Sequence, residues 1–421
     1  MKKQKNKSLL PVYLKGLVEG KYTLRQASES TGYSIQWLWH LKNEYKEKGK
    51  DCLVNGHKGK QPSNRISENI RSLVTSIYKE EYEGVNFSYF HYCLKKYHNI
   101  ELSCSTVRSI MAEYKIYSPE SRKIKRHKVS HRPRPRRKNE GDMIQIDGTP
   151  FEWFSRFGDK KQYCMVGAID DATSKITGLY ITEYECLYAY IEMLRQTVKK
   201  YGVPREIYSD RAAIFCVTPK GKKNGRKKQE ITKWEELECL HDKKTQWQRI
   251  LGELGINQIL AWSPQAKGRV ERMWETLQGQ VPIWLKKNGL DTVEKANAEL
   301  YKYALEFNSR YSVEAKEKEN FYLPGPENLS DILQCRISRK TDLSGCFSFH
   351  SYKWRVNYAY SAARHFELCI SEKGISAYMN GNYYPVEILE DVLDGLGETM
   401  SQVLKNIVYR YMFAEAKEVS A

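Results

Sequence analysis

At 421 residues the chain exceeds one ordinary domain, and a hydrophobic content of 41% is ample for folded cores. Lysine and arginine outnumber aspartate and glutamate by 69 to 51, a formal charge of +18 that favours a polyanionic partner. No apolar run is long enough to cross a bilayer, the start Met1–Lys7 lacks a signal-peptide core, and ten cysteines without a C-x-x-C pair suit free thiols, so a cytosolic protein without membrane contact is expected.

The first elements form a helix-turn-helix pattern. Leu9 to Val18 is amphipathic and closes at Gly20; Thr23 caps a second helix, and Gly32-Tyr33 makes the turn. Ser34 caps a third helix, Ile35 to Tyr45, in which Ile35, Leu38 and Leu41 are spaced for a core. Gln36, Trp39, His40 and Asn43 fall outside that stripe and are candidates to reach base edges or phosphates. A plain three-helix bundle with a solvated outer face would show the same pattern, and the weight toward DNA comes from residues further along the chain.

Residues 52–62 form a basic, glycine-containing linker. Helices at Ile66–Tyr82, Phe87–His98 and Thr106–Tyr114, the last capped by Ser103 or Ser105, suggest a second helix-turn-helix or a winged helix. Arg122 to Lys138 then holds ten basic residues and no acid. Self-repulsion and two prolines keep such a tract extended, so it is expected to follow phosphates, with Arg132, Arg134, Arg136 and Arg137 as DNA contacts.

Strands at Met143–Gly148, Gln162–Asp170 and Lys175–Thr182, a helix at Tyr188–Tyr201 and a strand at Glu206–Ser209 specify an α/β module with a mixed sheet. A charged insertion from Cys216 to about Thr245 interrupts it; Cys216, Cys239 and His241 there match no zinc finger or ribbon, and zinc is not expected. Helix Gln246–Leu254, strand Ile256–Leu260 and helix Gly268–Lys287 complete the module, and a helical stretch, Val293–Asn308, comes next. Six short strands between Cys335 and Ile388, with Asn380-Gly381 as a type I′ hairpin signal, suggest a small β-barrel. A terminal helix from Ser401 to about Lys417 carries Val403, Ile407, Tyr411 and Phe413 near one side and is expected to dock on a partner subunit.

The expected modules are therefore residues 1–50 and 63–118 (helical, DNA-binding), 119–140 (basic linker), 141–312 (α/β core with an insertion at about 216–245), 330–392 (small barrel) and 393–421 (terminal helix and tail). The chain is multidomain: all-α, then α/β, then all-β.

Three acids stand at the ends or starts of elements in the α/β module. Asp147 closes Met143-Ile144-Gln145-Ile146-Asp147, Asp210 closes Glu206-Ile207-Tyr208-Ser209-Asp210, and Glu271 lies one turn into the helix that starts at Gly268. Oxygen ligands converging from separate elements suit Mg²⁺ or Mn²⁺, and two such ions roughly 3.5–4 Å apart support phosphoryl transfer. Fifty-one acids yield many accidental triples, and Glu271 between Arg269 and Arg272 could be a surface ion pair. Asp142, Asp170, Asp171 and Glu275 are rivals, Glu275 the nearest of them.

The residues Ile-Asp-Gly-Thr around Asp147, Tyr-Ser-Asp-Arg around Asp210 and Ser-Pro-Gln-Ala-Lys-Gly-Arg-Val-Glu-Arg at 263–272 resemble the three acidic signatures of the DDE transposase and retroviral integrase superfamily. Over roughly residues 9 to 390 the chain is similar to bacterial insertion-sequence transposases of the ISNCY type. The resemblance implies an RNase H-like core with a five-stranded mixed sheet. It makes Asp147, Asp210 and Glu271 the catalytic ligands of two Mg²⁺ (or Mn²⁺) ions, with Gln265, Lys267 and Arg269 holding DNA near the cut. The implied partners are the element's terminal inverted repeats, target DNA and at least one further copy of the chain, in a bacterial cytoplasm at the nucleoid. The gap from Asp210 to Glu271 is longer than in compact integrases, and the insertion accounts for it. The reading from a different class is a transposase-derived DNA-binding regulator that has lost cutting.

Overall fold

The computed structural model describes residues 6, 8–53, 66–119, 135–217, 244–261, 268–350, 352–358, 364–389 and 400–413. They divide between Glu80 and Glu81 into two compact units. No helix among the described residues is long and apolar enough to cross a membrane.

In the first unit, α1 (Leu10–Val18), α2 (Leu24–Thr31) and α3 (Ile35–Lys48) follow the capping signals closely. The Thr23 hydroxyl accepts from the Gln26 amide while the Gln26 side chain accepts from the Thr23 amide, a reciprocal cap that satisfies two helix-end donors. Gly32 ends α2 at φ 76°, a conformation that favours glycine, and Ser34 caps α3. Leu14, Leu17, Ala27, Leu38 and Leu41 form the core. Ile35 does not join it and is 49% exposed. Tyr33, just before the cap, is buried in that core, its ring stacked 4.2 Å from that of Trp37. The helix α4 (Glu68–Glu81) runs to the boundary of the unit.

The second unit begins with α5 (Phe87–His98), capped by Asn86, and α6 (Cys104–Glu113), capped by Ser103 rather than Ser105. No strand follows α6 among residues 114–119 to make a wing. Instead α5 is pressed onto a helix that comes far later in the chain. The Arg310 guanidinium lies 4.2 Å over the Tyr92 ring and 5.3 Å from Tyr89, and Lys96 Nζ donates to Glu306 at 2.6 Å. The stretch expected as one module at 63–118 thus divides, with α5 and α6 in the same compact unit as the sheets.

The α/β part consists of β1 (Met143–Phe151), β2 (Tyr163–Asp170), β3 (Ile176–Thr182), α7 (Leu187–Lys200), β4 (Glu206–Ser209), α8 (Gln246–Glu253), β5 (Asn257–Leu260), α9 (Gly268–Lys287) and α10 (Val293–Tyr311). The strand order is β3-β2-β1-β4-β5, with β1, β2 and β3 antiparallel in turn and β1, β4 and β5 parallel. One face of the sheet, with Ile144, Ile146, Val166 and Ala168, is covered by α7 and α8. Gly178 admits α7 closely, since a Cβ there would lie 2.4 Å from the Met193 carbonyl oxygen. The other face, with Met165, Ile169, Leu179 and Ile181, packs against α9 and α10 around Trp153.

Beyond a short helical turn at Leu329–Ile332 come six antiparallel strands: β6 (Cys335–Lys340), β7 (Cys346–Phe349), β8 (Tyr352–Val356), β9 (His365–Ser371), β10 (Gly374–Met379) and β11 (Asn382–Ile388). Their order β6-β9-β10-β11-β8-β7 makes a nearly closed, barrel-like sheet. Asn380 (φ 49°) and Gly381 (φ 82°) form the expected I′ turn between β10 and β11. The barrel is no separate bead: one buried cluster runs from Ile144 and Leu194 through Trp247 to Trp354 and Leu368. Gln246 reinforces the join, its amide donating to the Arg336 carbonyl at 2.7 Å and its oxygen accepting from the Arg336 amide at 2.9 Å.

The terminal helix α11 (Met400–Val408) and a π-helical turn, Tyr409–Phe413, correct one expectation. Val403, Ile407 and Met412 are buried in this chain's own core, with Met412 against Cys335 of β6. A helix that is apolar on one side looks alike in sequence whether it covers its own barrel or a second subunit. Because Ile407 fills an internal site, Ile407→Ala should destabilise the second unit by about 2–4 kcal/mol in denaturant unfolding, with the sedimentation coefficient unchanged. A change of oligomeric state without loss of stability would contradict this packing.

Candidate catalytic site on the central sheet

The parallel strands β1 and β4 pair in the register Met143 with Glu206, Ile144 with Ile207 and Gln145 with Tyr208. β4 ends at Ser209, while β1 continues to Phe151 along β2. Carried two residues further, the register sets Asp147 level with Asp210, at the point where β4 leaves the sheet. This is also where the strand order reverses direction, the position at which open α/β sheets form a crevice. Alternation along β1 turns Ile144 and Ile146 to the α7 face and Gln145, Asp147 and Thr149 to the α9 face.

The helix α9 lies along that polar edge in step with it. The Val270 amide donates to Gln145 Oε1 (3.4 Å), Trp274 Nε1 to Asp147 Oδ2 (3.3 Å) and Gln278 Nε2 to Thr149 Oγ1 (3.4 Å). Four helical residues rise about 6 Å and two strand residues about 6.6 Å, so contacts at every fourth and every second position remain matched. Gly167, the β2 partner of Asp147, makes room for this contact: a Cβ there would lie 2.8 Å from the Trp274 indole. Glu271 and Glu275 each follow one residue after a member of the helix stripe, and both are exposed. Glu271 falls on the Gln145 side of Asp147 and Glu275 on the Thr149 side. The helix geometry treats the two alike, and only the sequence signature ranks Glu271 first.

Asp210 is half-buried in a tight turn, with Oδ1 accepting from the Ala212 amide at 3.0 Å. Gln258 Nε2 fastens the same corner by donating to Ser209 Oγ and the Phe215 carbonyl. Among the described residues, no three carboxylate, imidazole or thiol groups stand close enough to ligate one ion.

The other acids of the neighbourhood are tied into the framework. Asp170 Oδ1 accepts from the Thr173 amide and hydroxyl, and Oδ2 from the Gly141 amide; burial still holds its carboxyl above the usual range. Asp171 Oδ1 accepts from Gln145 Nε2 (2.8 Å) and Arg269 Nε (2.7 Å), and Oδ2 from the Arg137 amide (2.8 Å). Asp142 faces the guanidiniums of Arg137 and Arg205 at 3.5 and 3.6 Å.

Three arginines expected to touch DNA therefore hold protein acceptors here. Arg269 binds Asp171, Arg137 reaches Glu206 and Asp142, and Arg136 donates to the Ala172 carbonyl and Ser174 Oγ. Burial and then the nearby Arg269 lower the pKa of Arg136. In the first unit Gln36, Trp39, His40 and Asn43 are all exposed along α3. Arg132, Arg134, Gln265, Lys267, Cys239 and His241 lie outside the described residues, as does most of the insertion. The sequence reading missed the Asp171 network; its one available signal was Gln145, a polar residue inside a buried strand.

No family model matches the chain. Over 360 residues it is 29% identical to the transposase for insertion sequence IS1202 of Streptococcus pneumoniae, covering 78% of this chain and 73% of that protein. It is also 29% identical over 339 residues to a putative transposase, y4bF, of Sinorhizobium fredii, covering 80% and 69%. Solved structures that the chain matches include a simian T-cell lymphotropic virus intasome in complex with PP2A regulatory subunit B56 gamma (12% identity, TM-score 0.32, 75% of this chain and 95% of that chain). Another is the HTLV-2 integrase catalytic core domain in complex with magnesium (16% identity, TM-score 0.27, 40% and 85%). The chain is thus similar in sequence to proteins named as insertion-sequence transposases.

The contact between Gly167 and Trp274 can be tested by a double-mutant cycle. Gly167→Ala should cost about 1–3 kcal/mol through overpacking, whereas adding Trp274→Phe, which shortens the aromatic system, should recover part of that loss as a coupling of about 0.5 kcal/mol or more. Strict additivity in urea unfolding would show that the indole does not set the helix height over Asp147.

Proposed function

We propose that this chain is a DNA transposase that cleaves and joins strands at the ends of its element, with Asp147, Asp210 and Glu271 as the carboxylate ligands of two Mg²⁺ (or Mn²⁺) ions. The observation that carries the reading is the β1–β4 register, which draws Asp147 and Asp210 level at the strand-order reversal with the first turn of α9 alongside. The chemistry of the donors suits a hard cation: all three are carboxylates, two of them, Asp147 and Asp210, half-buried at the sheet edge. Such ions, when bound, supply activation of the attacking oxygen and stabilisation of the leaving one.

In the first step a water oxygen attacks phosphorus at the element end, the bond to the leaving 3′ oxygen breaks, and that oxygen departs as a 3′-hydroxyl. In the second, the 3′-hydroxyl attacks a target phosphodiester; one P–O bond forms and one breaks, and no energy source is consumed. The protein contributes alignment: β1 and β4 fix two acids on a rigid sheet, and the contact of Trp274 with Asp147 fixes one carboxylate oxygen. The exposed face of α3 (Gln36, Trp39, His40, Asn43) suits reading of the terminal repeats, while Arg132 and Arg134 suit phosphates and Gln265 and Lys267 the DNA near the cut. Bringing two ends together requires at least two copies on DNA, in a bacterial cytoplasm at the nucleoid.

Asp147→Ala, Asp210→Ala and Glu271→Ala should each abolish Mg²⁺-dependent cleavage of end DNA while leaving end binding within about twofold, because metal ligands act on the chemical step. Glu275→Ala should stay active. A wild-type protein that binds ends but never cuts would favour a regulator that has lost catalysis.

The basic tract separates into two kinds of residue. Arg132→Gln with Arg134→Gln should weaken binding to all DNA and flatten its salt dependence by about 0.9 in log–log slope per lost phosphate contact. Arg137→Gln should instead lower the melting temperature by a few degrees, since its partners are Glu206 and Asp142. An unchanged salt slope in the first variant would reduce the tract to a spacer.

A further inference from the structure

We infer that Asp171 is a positioning residue for this site, setting the first turn of α9, and with it Glu271, against β1. The inference rests on the catalytic reading above. Asp171 follows β2 directly and is 0% exposed, yet it accepts hydrogen bonds from three separate segments: Gln145 on β1, Arg269 on α9, and the amide of Arg137 in the chain entering the core.

The arrangement closes a ring. Gln145 donates to Asp171 through Nε2 and accepts from the Val270 amide through Oε1, while Arg269, the neighbour of Val270, donates to the same Asp171 oxygen. Residues 269 and 270 are thus both tied to a single carboxylate, two and one positions before Glu271. One and two turns further on, Trp274 and Gln278 donate to Asp147 and Thr149, and the rest of the hold on this part of α9 is apolar, through Val270, Met273, Trp274 and Leu277. Apolar packing is non-directional and tolerates small rotations of a helix. A charge-assisted hydrogen bond of 2.7 Å does not, so Asp171 fixes the angle at which the Glu271 carboxylate is presented.

Asp142 and Asp170, the other acids at this end of the sheet, serve other partners: Asp142 pairs with Arg137 and Arg205, and Asp170 holds the turn and Gly141. Of the three, the hold on α9 falls to Asp171. Glu271 remains the residue that would meet the ions, and Asp171 acts through Arg269 and Gln145.

The test uses full-length protein with Asp171→Asn, which keeps the shape but replaces one accepting oxygen with a donor, and Arg269→Gln, which alters the partly exposed end and spares the core. Cleavage of end DNA is followed against Mg²⁺ concentration, DNA binding is measured separately, and amide hydrogen exchange is read over residues 268–275. Both variants should show kcat lower by about 10- to 100-fold and a raised Mg²⁺ requirement, faster exchange confined to the start of α9, and unchanged KM and Kd for DNA. A lower melting temperature with wild-type Mg²⁺ dependence and no local change in exchange would make the contact merely structural and overturn the inference. A raised KM for Arg269→Gln at unchanged Mg²⁺ dependence would return Arg269 to a direct DNA contact and overturn it as well. If the wild-type protein cleaves no end DNA with Mg²⁺, the catalytic reading itself fails.

Discussion

The matched packing of α9 on the polar edge of β1 is the constraint on which the candidate site depends. A strand buried on both faces ordinarily carries apolar side chains on each, yet β1 presents Gln145, Asp147 and Thr149 to a helix. Those polar groups can be buried only with partners, and Val270, Trp274 and Gln278 provide them at the one spacing a helix shares with a strand. Shifting α9 by a single residue would rotate the stripe by about 100° and remove all three contacts together. The helix position is thereby specified by hydrogen bonding as well as by volume, and Gly167 supplies the clearance that this position requires.

Around this pair the second unit is built as one continuous body. The cluster under α7 and α8 continues into the barrel, and the stacking of Arg310 on Tyr89 and Tyr92 joins α5 to α10. Lys96 and Trp284 Nε1 both donate to Glu306 Oε2, so one oxygen of the carboxylate at the helix joint is held from two sides. A barrel and a helix pair attached by packed side chains rather than by linkers cannot swing freely against the sheet. These elements are therefore held at a fixed distance from Asp147 and Asp210.

Much of this was legible in the chain because local rules and the tertiary fold agreed. Thr23, Ser34 and Ser103 cap helices through their own side chains, and Asn380-Gly381 turns with both φ angles positive, all short-range chemistry that a sequence displays directly. Asp210 directly follows a strand as its pattern implies, whereas Asp147 lies inside β1, which runs on to Phe151 along β2. Features decided by distant neighbours were not legible. Ile35 has core spacing but stands exposed, since Tyr33 is already folded into the bundle. Arg136, Arg137 and Arg269 look like phosphate contacts in a chain of this charge, and only their placement beside Ala172 and Ser174, Asp142 and Glu206, and Asp171 gives them other partners. The side of α11 that is apolar could be read, but what covers it could not.

These protein partners bear on the electrostatics of the site. A site built from carboxylates repels phosphates unless cations intervene, and Arg137 and Arg269 beside it are paired with framework acids. In the proposed function, attraction to DNA is assigned to the rest of the tract from Arg122, the lysine-rich stretch at 220–228, and the basic residues of the helical region, which carry much of the formal excess of +18. Attraction at a distance and alignment at the cut are thus assigned to different residues. Dispersed surface charge is screened within a Debye length of about 8 Å at physiological salt, whereas buried pairs such as Asp171 with Arg269 are shielded from that screening. Binding to DNA should accordingly vary steeply with salt, while the internal geometry of the site stays nearly constant across the same range.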